Sequence, residues 1–176
     1  MRYRTIRQAR KTLTIRIEEG EVVVKAPSFV SEERIEAFVR KHERWIKERL
    51  KRAKEYERFY YLFGERYERE GDVEVLLKRK ALEYIPKRVE ELSKNFDKKP
   101  KSVKITSAKK RWGSCSSKGN LNFSYRCVML PKECIDYVIV HELCHLVHHD
   151  HSKHFWDLVA HHMPDYKDKE RLIRNF

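Results

Sequence analysis

The chain has 176 residues, of which 40% are hydrophobic and 38% are charged, and its net charge is +13 at pH 7. This composition excludes a collagen-like, low-complexity or wholly disordered chain, and the length predicts one domain over 1–176. No apolar run approaches the ~18 to 20 residues that a membrane span needs. The basic N-terminus lacks the apolar segment of a secretory signal, so we expect a soluble, cytoplasmic protein with reduced cysteines.

The N-terminal part, 1–60, predicts a β-hairpin followed by a long helix. Alternating apolar residues over 11–17 and three valines over 22–24 flank a turn at 18–20. Ser31 then offers a helix N-cap, with two glutamates in the first turn. Apolar residues at helical spacing from Ile35 onwards predict one amphipathic helix that reaches Tyr56.

The sequence after residue 60 predicts a short hairpin, a helix and then a second α+β region over 100–176. A turn at Gly64 indicates the hairpin, and the helix over 77–96 contains a proline that favours a kink or a start near it. Strands are predicted over 103–105 and 121–128, with a loop between them. Helices are predicted to begin at Pro131 and Ser152. The apolar face predicted for the helix over 77–96 consists of Leu82, Ile85, Val89 and Leu92.

An HExxH motif at 141–145 lies in the helix that Pro131 opens. Residues four apart in a helix are about 40° apart around its axis, so His141 and His145 can present ring nitrogens to one metal ion. Glu142 is the only acid over 137–147, where no Lys or Arg occurs. The motif therefore predicts a metal site with one carboxylate beside it that is able to accept a proton.

Several nearby residues compete to be the third ligand. His151 precedes the predicted cap of the next helix and therefore lies in a turn that can fold back on the metal, which makes it the favoured ligand. His154, in the first turn of that helix, is the alternative. In an unbroken helix His148 would lie about 10.5 Å beyond His141, too far for bonds of about 2.0–2.1 Å to one metal. Cys144 is predicted to be a buried small hydrophobe rather than a thiolate ligand.

Four sequence blocks resemble the YgjP-like family of zinc metallopeptidases: RWGSCS at 111–116, NFSYR at 122–126, YVIVHELCHL at 137–146 and HSKHFW at 151–156. The early hairpin and the helix after it also resemble that family, and similarity to SprT- and Wss-type proteases is more distant. The resemblance implies a zincin-like α+β fold in which a small sheet packs on the HExxH helix. It also implies zinc bound by His141, His145 and His151, with Glu142 as the catalytic base.

Three imidazole ligands leave one position of a tetrahedral zinc ion open, which is typical of a catalytic site. We therefore predict a metallopeptidase in which Glu142 takes a proton from water and passes it to the leaving amine while zinc polarises the carbonyl. The strand over 121–128 is either a core strand or a strand that pairs with an extended peptide. Tyr166 and Arg126 are candidate oxyanion donors.

Two other functions fit the same residues. A zinc-dependent nucleoside triphosphate pyrophosphatase would use basic residues near the predicted site loop as phosphate contacts, namely Lys109, Lys110, Arg111 and Lys118. A nucleic-acid-binding module stabilised by zinc would use the positive surface, but it leaves Glu142 unexplained. The expected partners are thus a peptide or protein substrate and, through the basic surface, nucleic acid.

Overall fold

The computed structural model describes residues 1–18, 20–174 and 176, and the chain divides into two compact units, Met1–Phe59 and Tyr60–Phe176. The first unit opens with a three-stranded sheet of β1 (Arg4–Gln8), β2 (Thr14–Glu18) and β3 (Glu21–Pro27), in the order β1-β3-β2. Strands β2 and β3 are antiparallel, which confirms the predicted hairpin, although Glu19 at its turn lies outside the described residues. Strand β1 adds a parallel partner to β3.

Two helices follow where one was predicted: α1 (Glu32–Lys41) and α2 (Glu43–Arg58) meet at His42. The hydroxyl of Ser31 accepts the Arg34 N–H at 3.4 Å, which confirms the predicted N-cap. The His42 ring donates from Nδ1 to the Phe38 carbonyl at 2.8 Å, while the His42 N–H bonds to Val39 instead. At this point the ring, and not the backbone N–H, bonds to the carbonyl four residues earlier, and the regular helical hydrogen bond is absent. Buried residues of α1, α2 and β3 form the core of this unit, among them Ile35, Val39, Ile46, Val22 and Val24.

The second unit begins with the predicted hairpin. Strand β4 (Phe59–Leu62), which starts at the last residue of the first unit, pairs with β5 (Glu65–Glu68). At the turn Gly64 has a φ of 86°, and a Cβ there would lie 2.9 Å from the Pro131 side chain. Glycine is required at this position both for the backbone conformation and for the close approach.

Helix α3 spans Val73–Ser93, and the Asp72 carboxylate caps it by accepting the Val75 N–H at 3.1 Å. The helix therefore starts one turn earlier than predicted and passes through Pro86. The predicted apolar face was wrong at Leu82, which is 62% exposed. The buried face instead contains every fourth residue, namely Val73, Leu77, Ala81, Ile85 and Val89.

A second three-stranded sheet leads to the site. Its strands are β6 (Ser102–Thr106), β7 (Gly113–Cys115) and β8 (Asn120–Ser124), in the order β6-β8-β7. Strand β8 is parallel to β6 and antiparallel to β7. The predicted strand over 121–128 was too long, because a 3-10 helix spans Tyr125–Met129. The Ser124 hydroxyl starts that helix by accepting the Arg126 N–H at 3.2 Å.

Three helices complete the unit: α4 (Lys132–Cys144), α5 (Lys153–His162) and α6 (Tyr166–Ile173). Helix α4 begins after Pro131, as predicted, and strand β7 packs against it. These elements confirm the expected α+β class, with a small sheet on the HExxH helix. Among the residues that the structure describes, no helix is both long enough and apolar enough to cross a membrane.

Candidate metal centre

The last turn of α4 carries the first two histidines of the candidate site. His141 lies in that turn, and His145 is the residue that ends the helix. Their ring centroids are 4.9 Å apart, as expected for positions one turn apart on one face. The helix buries nine of its 13 residues, so the motif is presented from an element that is enclosed on most sides.

The chain then turns back and brings His151 to the same place. Its Nε2 lies 3.1 Å from Nε2 of His141, and its ring centroid is 4.7 Å from that of His145. One potential ligand atom from each of the three side chains lies within 4.8 Å of the others. His141 and His145 are half-buried and His151 is exposed, so one side of the cluster faces solvent.

The chemistry of this donor set fits a metal ion. Two nitrogens bound tetrahedrally to one zinc ion at about 2.0–2.1 Å lie about 3.3 Å apart, close to the spacing of the His141 and His151 nitrogens. The Nδ1 of His145 donates to the His148 carbonyl at 2.9 Å, which leaves its Nε2 without a proton and free to bind. Burial, together with the two neighbouring histidines, lowers the pKa of His141 to about 4. The ring is therefore neutral at pH 7.

Glu142 is 6% exposed, and it lies against strand β7. Burial raises the pKa of its carboxyl to about 7, an effect that the positive charge of Arg111 opposes. Its Oε2 atom is buried and has no hydrogen-bond partner among the described residues, and the same is true of Nδ1 of His141. A buried carboxylate oxygen without a partner is costly in a structural role, and it marks this position as one available for chemistry.

Two aromatic side chains pack around the histidines: Trp156, which the sequence suggests as an aromatic around the site, and Phe155, whose role the sequence analysis did not assign. The Phe155 ring is fully buried, stacks on His145 at 4.4 Å and lies 4.9 Å from both His141 and His151. The ring centroid of Trp156 lies 5.8 Å from that of His141 and 5.7 Å from that of His151. The available signal was the position of these two aromatics in the first turn of the helix that follows His151.

The competing residues lie outside the cluster. His154 faces His148, with ring centroids 6.2 Å apart. The reason given for excluding His148 was wrong, because the helix does not continue to it: α4 ends at Cys144. Cys144 itself is fully buried, and burial raises the pKa of its thiol to about 12. All four cysteines are free in the structure.

The residues suggested as oxyanion donors or phosphate contacts lie in several different parts of the second unit. Tyr166 stacks on Trp156 at 5.4 Å, and both line a cavity of about 350 Å³ beside the candidate site. Arg126 lies in the 3-10 helix. Arg111 lines a smaller cavity of about 200 Å³ beside β7. The four basic residues suggested as phosphate contacts are exposed: Lys109, Lys110, Arg111 and Lys118.

The strand suggested as a partner for an extended peptide is not available for that pairing. Strand β8 is the central strand of its sheet and is paired on both sides, so it is a core strand. Within the described residues the edge nearer α4 is β7. The Ser124 N–H donates to the Trp112 carbonyl, and the Ser116 N–H donates to the Asn120 carbonyl. Along β7, backbone groups point alternately towards β8 and away from it, and these two bonds show which residues point towards β8. Its other backbone groups, those of Gly113 and Cys115, therefore point away from β8.

Comparison of the sequence with known proteins identifies a family. The sequence profile of the YgjP-like metallopeptidase domain matches residues 11–72 and 64–176. The chain belongs to the YgjP-like family. That family is described as a metallopeptidase domain, and the three-histidine cluster of this YgjP-like chain is a possible metal site.

One solved structure is similar to this YgjP-like chain. It is the crystal structure of the metallopeptidase zymogen of Pyrococcus abyssi abylysin, with a TM-score of 0.47 and 24% sequence identity. The match covers 52% of this chain and 92% of that chain. No curated protein sequence matches the chain.

Proposed function

We propose that this chain is a zinc-dependent metallopeptidase that hydrolyses peptide bonds. The observation that carries the proposal is the convergence of three imidazole nitrogens within 4.8 Å of one another at the end of a buried helix. The chain's membership of a family described as a metallopeptidase domain supports peptides as the substrate class.

In this proposal His141, His145 and His151 hold the metal. Three neutral nitrogen ligands suit zinc, and they leave a coordination position for water or substrate. A bound zinc ion supplies Lewis-acid chemistry, since it lowers the pKa of water towards ~7 and polarises a carbonyl oxygen. The bond from His145 to the His148 carbonyl orients one ring, and the stacked Phe155 ring restricts its rotation.

Glu142 is the proposed general base. Its carboxylate accepts the proton of the attacking water and later delivers that proton to the leaving amine. A carboxyl pKa of about 7 suits both steps near neutral pH. A cation beside the carboxylate favours its ionised form, so loading with metal is expected to bring the pKa below that value.

The substrate backbone has a partner strand in this proposal. An extended peptide that adds to the outer edge of β7 would exchange hydrogen bonds with the backbone of Gly113 and Cys115. Because Glu142 lies against the same strand, such a peptide would pass close to the proposed base.

The decisive experiment combines metal analysis with a peptide assay. We expect one zinc per wild-type chain, loss of that zinc in His151→Ala, and retention in the matched control His154→Ala, whose side chain lies outside the cluster. Glu142→Gln is expected to keep zinc and to lower the hydrolysis of unfolded peptides by roughly 10²–10⁴-fold.

Other outcomes would redirect the proposal. Release of pyrophosphate from nucleoside triphosphates, with no peptide cleavage, would favour the phosphate chemistry instead. Absence of stoichiometric metal from protein prepared with zinc would overturn the metal site. Salt-sensitive DNA binding that is unchanged in Glu142→Gln, with no hydrolysis of either substrate class, would indicate a binding module.

A further inference from the structure

Strand β7 approaches the proposed base so closely that only glycine fits at its first residue. A Cβ placed on Gly113 would lie 2.6 Å from Oε1, 2.7 Å from Cγ and 2.9 Å from Cδ of Glu142. Carbon atoms in van der Waals contact lie about 3.5–4.0 Å apart, so the side chain of any other residue would overlap Glu142. The constraint is steric, because Gly113 is not among the residues with positive φ.

The strand has little freedom to move away from Glu142. The Trp112 carbonyl accepts both the Ser124 N–H at 2.8 Å and the Cys127 thiol at 3.0 Å. After the strand, Ser116 donates to the Asn120 carbonyl at 2.9 Å. These bonds hold both flanks of Gly113 to the central strand β8 and its continuation.

The face of the sheet that carries Gly113 is also closed. Gly113 pairs with Phe123, which is fully buried, and the next residue on that face of β8, Leu121, is fully buried as well. A close-packed interior has no room for an added methyl group, so a neighbouring group must move to accommodate it. With the strand held on both flanks, the group that must move is the Glu142 side chain.

We infer that Gly113 is a positioning residue for Glu142. Because Gly113 has no side chain, the Glu142 carboxylate rests directly against the backbone of β7, and this contact sets where the base meets water and substrate. The inference rests on the proposed function for its catalytic part. The contact itself is independent of that function and can be tested without any substrate.

The test is a double-mutant cycle between Gly113→Ala and Glu142→Ala, read by thermal unfolding of the full chain in the presence of a chelator. Alone, Gly113→Ala is expected to lower Tm by roughly 2–10 °C, because it overpacks a closed site. In the Glu142→Ala background the overlapping Cγ, Cδ and Oε1 atoms are gone, and the same substitution is expected to leave Tm unchanged. Ser114→Ala, at the next position of β7, is the matched control and should show no coupling to Glu142.

A second measurement addresses catalysis. In zinc-loaded protein, Gly113→Ala is expected to keep the metal and the KM for a peptide while kcat falls roughly 100-fold, the scale of a displaced catalytic group. A purely structural defect would lower the folded fraction or the metal content instead.

The outcomes separate the inference from the proposed function. Equal destabilisation by Gly113→Ala in both backgrounds, or unfolding of both the single and the double variant, would overturn the inference. Unfolding of the single variant with recovery in the double variant would support it. Normal stability with full kcat in Gly113→Ala would also overturn it. If wild type cleaves no peptide, the proposed function fails, and the stability cycle still decides whether Gly113 sets the position of Glu142.

Discussion

Helices α2 and α4 are similar in length and opposite in environment. Helix α2 has 16 residues with Ile46 as its buried member, whereas α4 buries nine of its 13 residues. Exposed charges on α2 form pairs one turn apart, such as Arg44 with Glu48 at 3.2 Å. Glu142 lies inside α4's packed surroundings, with one oxygen unpartnered among the described residues. An exposed carboxylate in α2 has little effect on the free energy of unfolding and does not indicate a function. A carboxylate buried in α4 lowers the free energy of unfolding, so its presence indicates a function.

The comparison predicts that burial, rather than the helix in which a residue lies, controls the cost of losing an apolar side chain. Ile139→Ala in α4 and Ile46→Ala in α2 remove fully buried side chains, so each is expected to lower the free energy of unfolding by about 2–5 kcal/mol. Leu82→Ala, in the exposed position that the sequence assigned to the core, should change it by less than about 0.5 kcal/mol. Urea unfolding measures all three. A cost for Leu82→Ala equal to the other two would contradict the burial pattern.

The carboxylate of Glu142 is expected to destabilise the metal-free protein at neutral and alkaline pH. Its pKa is about 7 in the folded state and 4.5 ordinarily, so the folded state binds the proton more tightly and loses stability as pH rises from 4.5 through 7. Glu142→Gln removes that loss. We expect the variant to match wild type near pH 4.5 and to be more stable by about 2–3 kcal/mol at pH 8, measured by urea unfolding with a chelator present.

The control for this prediction is Glu48→Gln, which makes the same chemical change on the exposed side of α2. Its stability difference from wild type, measured at the same pH values, gives the cost of changing a carboxylate to an amide at an exposed position, for comparison with Glu142→Gln. A stability difference for Glu142→Gln that stays constant between pH 4.5 and 8 would show that the carboxyl is not perturbed by burial.

The smallest predicted effects concern the ion pairs of the two helices. Asp136 in α4 accepts two hydrogen bonds from Arg88 of α3, at 2.7 and 2.8 Å, and its side chain is 18% exposed. Asp136→Asn is expected to lower the free energy of unfolding by about 1.5–3 kcal/mol, since charge-assisted paired bonds are lost. Loss of the exposed Arg44–Glu48 pair of α2 should lower the free energy of unfolding by about 0.3–0.5 kcal/mol, and it should have no effect in 1 M salt. Equal costs for the two pairs would remove the distinction between the helices.

Several differences between sequence and structure have local physical causes. The long N-terminal helix is divided at His42, where the ring and not the backbone N–H bonds to the Phe38 carbonyl, a local arrangement that apolar spacing does not reveal. The strand before the site ends early because the Ser124 hydroxyl starts a 3-10 helix. The assignment of Leu82 to the core failed because Ala81 and Leu82 both lie one turn before the buried Ile85, and packing buries Ala81 and leaves Leu82 exposed.

The sequence by itself determined the features that depend on neighbouring residues. The turn at Gly64, the cap at Ser31 and the start of α4 after Pro131 follow from short-range geometry. The same is true of His141 and His145 sharing one helical face, because spacing along a helix fixes direction. The predicted roles of the three histidines and Glu142 arose from this local pattern together with the family resemblance, and they are testable as proposed above.

Tertiary structure decided what depends on segments that are distant in sequence. The return of the chain after α4 determined that His151, and not His154, lies beside His141. Packing of the sheet on α4 created the burial that raises the pKa of Glu142, and it brought Gly113 against that side chain. Desolvation and steric contact are properties of the assembled surroundings, so no pattern within 141–145 could have supplied them.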